Sequence, residues 1–426
     1  MPADNILVLV VDGLRAAALG AYGNTTFPTP ALDHFAAESY LLDFAFADST
    51  DLPAIYRALW QSLHPLRPTT ESEAAPSLAG LLTAQGYHTT LVTDDPRIAS
   101  LDGAADFREC IQLDGAAAVR AEDVSQTCVA RLMAACCEAL RPAATRLEPL
   151  SQPRFIWAHS RGMFGPWDAP IAFQETLLDR EEGDPAPYDG IEPPQISLAD
   201  ATEPDTAYAA ACAYAAQMMV LDDCIDVVRQ CLIEMPLDER WLAVLVGSRG
   251  FELGEHGRVG GDRQLYAESL QVPMLWRFPD GTGALGRSQR LVSHLDLLPT
   301  LLDWIDDGPA KAEPTADGQS LLPQIRSAAT PWRDALVAAN GAGEAAIRTA
   351  DWSLRRKLAR PDAEEAAELF VRPDDRFEAN DVASLCSDVV ERLSAELETA
   401  SGQLARGEEV LALRAGTSGQ SSDIPL

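Results

Sequence analysis

Short apolar runs that alternate with helical segments constrain the fold of this chain more than any other feature. The first run, Asn5 to Val11, is β-branched and ends before Gly13, as is typical of strands buried on both faces of a parallel sheet. Similar runs follow at His88–Thr93, Phe155–His159, Trp241–Val246 and Val272–Phe278. This alternation predicts an α/β fold with a large, mostly parallel sheet covered by helices on both faces. In such a fold, functional residues collect at the carboxyl ends of the strands.

Two segments between these runs have helical periodicity. They are Ala121–Leu140 and Thr206–Cys231. In the second segment, Met218, Leu221 and Ile225 recur at the spacing that places side chains on one helix face. We expect this face to pack against the rest of the domain.

The apolar pattern changes near residue 327, and this change predicts three parts of the chain. Residues 1–327 would form the large α/β domain, residues 328–407 a small subdomain, and residues 408–426 a flexible tail. The small subdomain has short segments that suit an antiparallel sheet and one longer segment that suits a helix. These segments are Ala335–Ala339, Ala345–Arg355 and Glu368–Val371 for the sheet, and Val382–Leu397 for the helix.

Charge and composition exclude several classes of partner. The chain has 426 residues, and its 33 Lys and Arg against 65 Asp and Glu give a net charge of −32 at pH 7. Such a surface repels polyanions, so neither nucleic acid nor an anionic membrane is an expected partner. The cysteines form no metal-ligand spacing, and no basic segment precedes the first apolar run. We therefore expect a cytoplasmic protein.

Five segments of the chain match a known family in their order. The segments are NILVLVVDGLRAAALGAYGNTTFPTPALDHFAAE, LGEHGRVGGDRQLYAESLQVPMLWRFP, VSHLDLLPTLLDW, IRTADWSL and ELFVRPDDRFEANDVA. Together they resemble the sulfatases, a family of the alkaline phosphatase superfamily. The resemblance implies the sulfatase fold and, in an active member, hydrolysis of sulfuric or phosphoric esters.

The resemblance also implies a divalent metal site, but most of its ligands are replaced here. Two adjacent aspartates usually follow the first strand, where this chain has Asp12 and Gly13. An Asp-His or Asp-Asn pair usually follows a later strand, where this chain has Ser248 and Arg249. Arginine has no lone pair to donate to a metal, so Asp12 is the one retained ligand. No cofactor is therefore expected, whereas Ca²⁺ or another divalent metal would accompany retained hydrolysis.

An arginine at the end of a strand predicts an ion pair inside the cleft. Asp12, Asp51 and Asp95 are expected to project toward the same strand ends as Arg249. A guanidinium among carboxylates would fill the metal position and neutralise buried charge without any chemistry.

The family nucleophile is made from a Cys or Ser two residues before a proline at a helix start. Here Asp51 stands two residues before Pro53, and Thr50 precedes it. Thr50 and Asp51 are therefore the candidates for the nucleophile position, and the sequence leaves open which of them faces the cleft. The alternative role is an N-terminal cap of the following helix, supplied by Ser49, Thr50 or Asp51. Arg57 and His159 complete the set of catalytic candidates.

Three further positions lie where the sulfatases usually have basic residues. Asp95 lies in a turn that usually carries a Lys and a His, Phe164 stands at a usual His, and Gly261 at a usual Lys. A site for a sulfate or phosphate ester needs concentrated positive charge, which these three residues do not supply. Other polar candidates are Asp94, Arg161 and His256.

These residues leave three interpretations of function. The first is a divergent sulfatase-family protein with a degenerate active site, a catalytically inactive pseudoenzyme that binds an unknown small molecule or protein through the cleft. The alternative is an active hydrolase of sulfuric or phosphoric esters with a non-standard site that uses Thr50 or Asp51. In another form of this second interpretation, carboxylates such as Asp12 and Asp51 act as acid and base on a neutral or cationic substrate. The third interpretation is a structural or assembly role.

Overall fold

The computed structural model describes residues 4–70, 75–115, 119–141, 152–178, 186–199, 205–235, 240–261, 264–306, 316–326, 331–358, 367–408 and 410. Within these ranges the strands form an eight-stranded, a four-stranded and a three-stranded sheet. The strands are β1 (Asn5–Val11), β2 (Tyr40–Phe46), β3 (His88–Thr93), β4 (Glu109–Gln112), β5 (Arg154–Ser160), β6 (Ile196–Ser197), β7 (Trp241–Gly247), β8 (Glu252–Leu253), β9 (Arg258–Gly260), β10 (Met274–Arg277), β11 (Arg287–Ser293), β12 (Ala335–Ala339), β13 (Glu344–Thr349), β14 (Trp352–Lys357) and β15 (Glu368–Val371).

The large sheet is parallel except at one strand. Its order is β11-β2-β10-β7-β1-β5-β3-β4. Strand β10 runs antiparallel to β2 and β7, and the other neighbouring strands are parallel. The predicted fold class, a large mostly parallel sheet with a separate small antiparallel sheet, is confirmed.

Helices cover both faces of this sheet. The described helices are α1 (Pro30–Ala37), α2 (Leu52–Gln61), α3 (Leu78–Ala84), α4 (Pro96–Ala99), α5 (Cys128–Leu140), α6 (Ile171–Leu177), α7 (Thr206–Ile233), α8 (Ala267–Leu270), α9 (Leu297–Asp306), α10 (Leu322–Arg326) and α11 (Ser387–Ala405). Of these, α11 packs on the four-stranded sheet instead. None of these described helices is both long and apolar enough to cross a membrane.

The side chains of β1 alternate between two apolar cores. Leu7 and Leu9 pack with buried residues of α1, α5 and α7. Ile6 and Val8 pack on the opposite face with buried residues of α2, α3 and α9. Because both faces are covered, every residue of β1 is buried, which explains the continuous apolar run in the sequence.

Several element boundaries differ from the sequence prediction. The predicted strand Ala345–Arg355 is a hairpin of two strands, β13 and β14, which pair with each other. The C-terminal helix begins at Ser387 rather than Val382, because residues 383–385 form a turn in which the Val382 carbonyl oxygen accepts from Leu385 N. The helix predicted from Ala121 begins at Cys128. Strands β2, β4 and β11 are not predicted from the apolar pattern.

The C-terminal subdomain has an apolar core of its own. Leu393 and Leu397 of α11 pack with Leu354 of β14 and other apolar residues of the four-stranded sheet. Val410 is buried in the same cluster, whereas residues 411–426 of the predicted tail lie outside the described residues. The helix therefore holds one face of the small sheet.

Truncating the buried face of α11 is expected to destabilise the protein. Leu397 is fully buried, so Leu397→Ala should lower the free energy of unfolding by about 2–5 kcal/mol, because the cavity adds to the lost apolar burial. Leu385→Ala is a matched control, since Leu385 is 81% exposed, and its effect should stay within about 0.5 kcal/mol. Urea unfolding followed by circular dichroism measures both, and equal losses would contradict the packing described.

Candidate functional site

The carboxyl ends of three central strands bring several candidate residues together. Strand β1 lies between β5 and β7, and Val11 is in register with Ser160 and with Gly247. Asp12 follows Val11 directly, and Arg249 lies two residues after Gly247. These side chains therefore converge at one edge of the sheet, as parallel topology requires. We call this edge the cleft.

Arg249 and Asp12 form a two-point ion pair in the cleft. Arg249 Nε donates to Asp12 Oδ1 at 2.9 Å, and Nη2 donates to Oδ2 at 3.0 Å. Ser248 Oγ donates to Asp12 Oδ1 at 2.7 Å, and Arg249 Nη1 donates to the Thr50 carbonyl oxygen at 2.7 Å. The Asp12 side chain is fully buried, while that of Arg249 is 16% exposed. The predicted ion pair with Asp12 is confirmed, and its geometry is the bidentate form that fixes both groups.

An aromatic ring packs against this ion pair. The guanidinium carbon of Arg249 lies 4.0 Å from the centroid of the Phe164 ring, a favourable stacking arrangement. A Cβ atom on Gly261 would overlap the same ring. Gly13 has φ +77°, and a Cβ atom there would lie 2.6 Å from Met163 Cβ. The ring and Met163 thus occupy the space into which side chains at 261 and 13 would extend.

Asp95 pairs with Arg97 rather than with Arg249. Arg97 Nη2 lies 2.7 Å from Asp95 Oδ2, and His159 Nε2 lies 3.8 Å from the same oxygen. Burial raises the pKa of Asp95, but the nearby His159 ring and the hydrogen bonds from Arg97 outweigh burial and hold the pKa below its usual range. Asp95 is therefore a stable carboxylate, not an acid poised near neutral pH.

The other ring nitrogen of His159 is engaged by a residue that the sequence analysis misses. The Tyr56 hydroxyl lies 2.5 Å from His159 Nδ1, and both side chains are buried. Tyr56 occupies an apolar position of α2, beside Ile55 and Leu59, so its spacing looks like that of a core residue. Nothing in the sequence distinguishes it from one.

Asp94 and Arg161 stabilise the segment that follows β5, next to the cleft. Asp94 Oδ1 accepts a hydrogen bond from Arg161 N at 2.8 Å, and burial raises the pKa of Asp94. The Arg161 guanidinium donates to the carbonyl oxygens of Gly115 and Phe164, at 3.4 and 3.3 Å. These contacts hold the loop that carries Phe164.

Asp51 stands at the start of α2 but does not cap it. Its carboxylate makes no hydrogen bond to the first turn of the helix. Instead, Asp51 Oδ2 accepts from Gly341 N, in the turn between β12 and β13, at 2.5 Å. Ser49 Oγ accepts from Asp51 N at 3.1 Å. The capping role predicted for Asp51 is therefore wrong, because a residue distant in sequence supplies a donor.

Thr50 and Arg57, the other candidates near the nucleophile position, are held by backbone contacts. Thr50 is buried, and its carbonyl oxygen binds Arg249. Arg57 Nη2 donates to the carbonyl oxygens of Arg67 and Pro68, at 3.0 and 3.5 Å. Arg57 thereby fixes the connection that follows α2.

His256 links the large domain to the C-terminal subdomain. Its ring stacks on Tyr266 with centroids 3.5 Å apart and an interplanar angle of 4°, and its Nε2 lies 3.2 Å from Glu268 Oε2. The guanidinium carbon of Arg355 lies 3.8 Å from the Tyr266 ring centroid, and Arg355 Nη2 lies 2.6 Å from Glu368 Oε2. These stacked groups join the turn after β8 to strands β14 and β15.

The residues around Asp12 do not fit a divalent metal. A hard cation needs several oxygen ligands, but both oxygens of Asp12 are engaged by Arg249. The guanidinium would also repel a cation beside it. Across the part of the chain that the structure describes, no group of three or more His, Cys, Asp or Glu residues could hold a metal. A metal at Asp12 would therefore have to displace Arg249.

The contact between Gly261 and the Phe164 ring predicts that these positions are energetically coupled. Gly261→Ala should lower the free energy of unfolding by about 1–3 kcal/mol, because the new Cβ overlaps the ring. In a double variant with Phe164→Ala the overlap disappears, so the two effects should differ from additivity by about 1 kcal/mol. Urea unfolding of the single and double variants measures this coupling.

A helical glycine provides the control for that experiment. At Gly80 an added Cβ would make only ordinary contacts, so Gly80→Ala should not destabilise the protein. Additive effects of Gly261→Ala and Phe164→Ala would show that the ring does not occupy the position described.

The His256 contact predicts a pH-dependent contribution to stability. Burial lowers the pKa of His256, but the hydrogen bond and charge of Glu268, with Glu252 and Glu378, outweigh burial and raise the pKa above 6.5. Burial raises the pKa of Glu268 more than His256 lowers it. The stabilisation by imidazolium is therefore fully present below about pH 6.5 and is lost as pH rises through the higher folded-state pKa. We therefore expect the stability difference between wild type and His256→Gln to be largest at the acidic end of the pH range.

Thermal melts of wild type and His256→Gln between about pH 5.5 and 9 test this dependence. The difference between their midpoints should shrink as pH rises. His34→Gln is the control, because His34 is exposed and its replacement should give a difference that does not vary in this way. A constant difference for His256→Gln would contradict the assigned charge.

Solved structures with a similar fold include hydrolases of phosphonate and sulfate compounds. The phosphonate monoester hydrolase of Agrobacterium radiobacter superposes with a TM-score of 0.74 and 18% identity, covering 94% of this chain and 96% of that chain. The phosphonate monoester hydrolase from Silicibacter pomeroyi gives 0.71 and 17%, covering 93% and 94%. A protein solved with its substrate D-glucosamine-2-N,6-O-disulfate gives 0.70 and 18%, covering 95% and 98%. At identities this low, the structural similarity shows the fold alone.

A sequence-family comparison identifies the chain more directly. A search of curated proteins found no significant match. The family model described as Sulfatase, in contrast, matches residues 4–307, which include the first strand, the cleft residues and the helix α9. The chain belongs to the sulfatase family.

Proposed function

We propose that this sulfatase-family protein does not hydrolyse esters and instead binds a small molecule or a protein through the cleft. The observation that carries the proposal is the ion pair in which Arg249 engages both carboxylate oxygens of Asp12. Metal-assisted ester hydrolysis requires a cation beside the reacting group, to activate the nucleophile and stabilise developing charge. Here a guanidinium takes that place, and it cannot activate a bound hydroxyl.

The residues near the nucleophile position also support this proposal over an active hydrolase. A threonine hydroxyl needs an adjacent base or a metal before it can attack an ester. Thr50 is buried, and the Asp51 carboxylate accepts a hydrogen bond from Gly341 N. An acid–base pair of Asp12 and Asp51 is disfavoured as well, because Arg249 engages both carboxylate oxygens of Asp12.

The same arginine can support binding without catalysis. A guanidinium has five N–H donors, and the contacts of Arg249 use one from each of its three nitrogens. Its side chain remains 16% exposed. A carbonyl or carboxylate group of a ligand could therefore approach the remaining donors while the ion pair with Asp12 stays intact.

Metal content and turnover test the proposal together. We expect the purified protein to contain no stoichiometric divalent metal by elemental mass spectrometry. Its melting midpoint should be the same in Ca²⁺, Mg²⁺, Mn²⁺ and EDTA, because a ligand that does not bind the folded state cannot stabilise it. Aryl sulfate, phosphate and phosphonate esters should not be hydrolysed above the rate without protein.

An active sulfatase assayed in parallel shows that the substrates and detection are adequate. About one metal ion per chain that raises the melting midpoint, together with turnover of any of these esters, would overturn the proposal. Turnover that Thr50→Ala or Asp51→Asn abolishes would then identify the alternative, a hydrolase with a non-standard site.

A further inference from the structure

A second concave site lies between the large sheet and the C-terminal subdomain. It is a cavity of about 310 Å³. The large domain contributes residues of the connection after β1, of β2 and of β11, and the C-terminal subdomain contributes the segment after β15. Its lining residues are Ala16, Ala17, Tyr22, Asp43, Phe44, Ala267, Gln271, Arg287, Gln289, Arg372, Pro373, Asp375, Arg376 and Glu378. None of them belongs to the ion pair in the cleft.

Arg372 is the unusual residue of this cavity. Its guanidinium carbon lies 5.1 Å from the ring centroid of Phe44 and 4.8 Å from that of Phe46. Its Nη1 atom is buried and has no hydrogen-bond partner among the described residues. Buried guanidinium groups are ordinarily paired with an acceptor, because an unpaired buried donor costs free energy. This atom therefore has no acceptor within the part of the chain that the structure describes.

The acidic residues that line the cavity do not supply this acceptor. Asp43 Oδ1 lies 2.6 Å from Arg287 Nε. Glu378 Oε1 lies 3.3 Å from Arg348 Nη2. The carboxylate of Asp375 accepts from the backbone nitrogens of Ala379 and Asn380, at 3.0 and 2.9 Å. Each carboxylate has its own donors, and none of the three forms an ion pair with Arg372, although the charge of Glu378 partly offsets its burial.

The surroundings of Arg372 make this unpaired charge more unfavourable. The guanidinium carbon of Arg348 lies 5.3 Å from the Phe46 ring that Arg372 also contacts. Burial, and then the charge of Arg348, lower the pKa of Arg372 to about 10. At neutral pH the group is still a cation, and an anion in the cavity would offset both effects.

We propose that this cavity binds a small molecule through an oxyanion group, a carboxylate or a phosphate, with Arg372 as its principal charged contact. The planar guanidinium suits either anion, since both can accept two parallel hydrogen bonds. Arg376 lies at the same cavity and adds positive charge. Tyr22 and the small side chains of Ala16 and Ala17 provide room and apolar surface for the rest of the ligand. The inference does not depend on whether the cleft hydrolyses esters.

Anion-dependent stability of the full chain tests this inference. Inorganic phosphate and acetate are the probes, each titrated at constant ionic strength while the melting midpoint is recorded. A specific anion site raises the midpoint with concentration, and we expect such a rise with at least one probe. In Arg372→Met the apparent affinity should fall by about tenfold or more, because a hydrogen bond to a charged group is lost. Without anion, this variant should fold with a midpoint close to that of wild type.

Two further variants keep the experiment decisive. Arg326→Met is the matched control, since Arg326 also stacks on an aromatic ring, that of Trp304, but does not line the cavity. Its response to anion should equal that of wild type. If Arg372→Met does not fold, Arg372→Lys should show a weakened response, because an ammonium cannot make the two parallel bonds. No midpoint rise in wild type, or an equal rise in wild type and the Arg372 variant, would overturn the inference.

Discussion

The buried ion pair between Arg249 and Asp12 is the interaction on which the cleft depends. Asp12 follows the central strand β1, between two neighbouring strands, and has no exposed surface. A carboxylate in such a place is costly unless a positive charge lies beside it. In this position a divalent metal or a basic side chain can satisfy the charge. The chain uses an arginine, and the arginine also binds the Thr50 backbone, so one side chain fixes the ends of two elements.

The ion pair and the side chains packed around it leave little space at the neighbouring positions. The guanidinium stacks on Phe164, and the ring leaves no space for a side chain at Gly261. Met163 likewise occupies the space beside Gly13. Arg249, Phe164 and Gly261 therefore form one packed group, and Met163 packs in the same way beside Gly13. A single substitution toward the family pattern would meet these contacts, because packed interiors resist added volume.

The sequence predicts the centre of the large sheet better than its edges, for a physical reason. Strand β1 is buried on both faces and has a continuous apolar run, so its predicted bounds match. Edge strand β11 begins with the polar sequence RSQR and is partly exposed there, so no apolar run marks it. Within the cleft, the ion pair of Arg249 and Asp12 can be predicted from the sequence, because both residues follow strands of the parallel sheet. The bond from Asp51 to Gly341 could not, because its partners are 290 positions apart and one is a backbone nitrogen.

That bond joins the turn between β12 and β13 to the start of α2. Gly341 fixes the Asp51 carboxylate at the start of α2, and Arg355 contributes to the stack that holds the turn of His256. Both contacts use backbone atoms or common ion-pair chemistry, which many sequences can provide. The family model accordingly ends at residue 307, whereas the structural similarity to the Agrobacterium radiobacter enzyme extends over 94% of the chain. The structural similarity thus extends over the C-terminal subdomain, beyond the part of the chain that the family model matches.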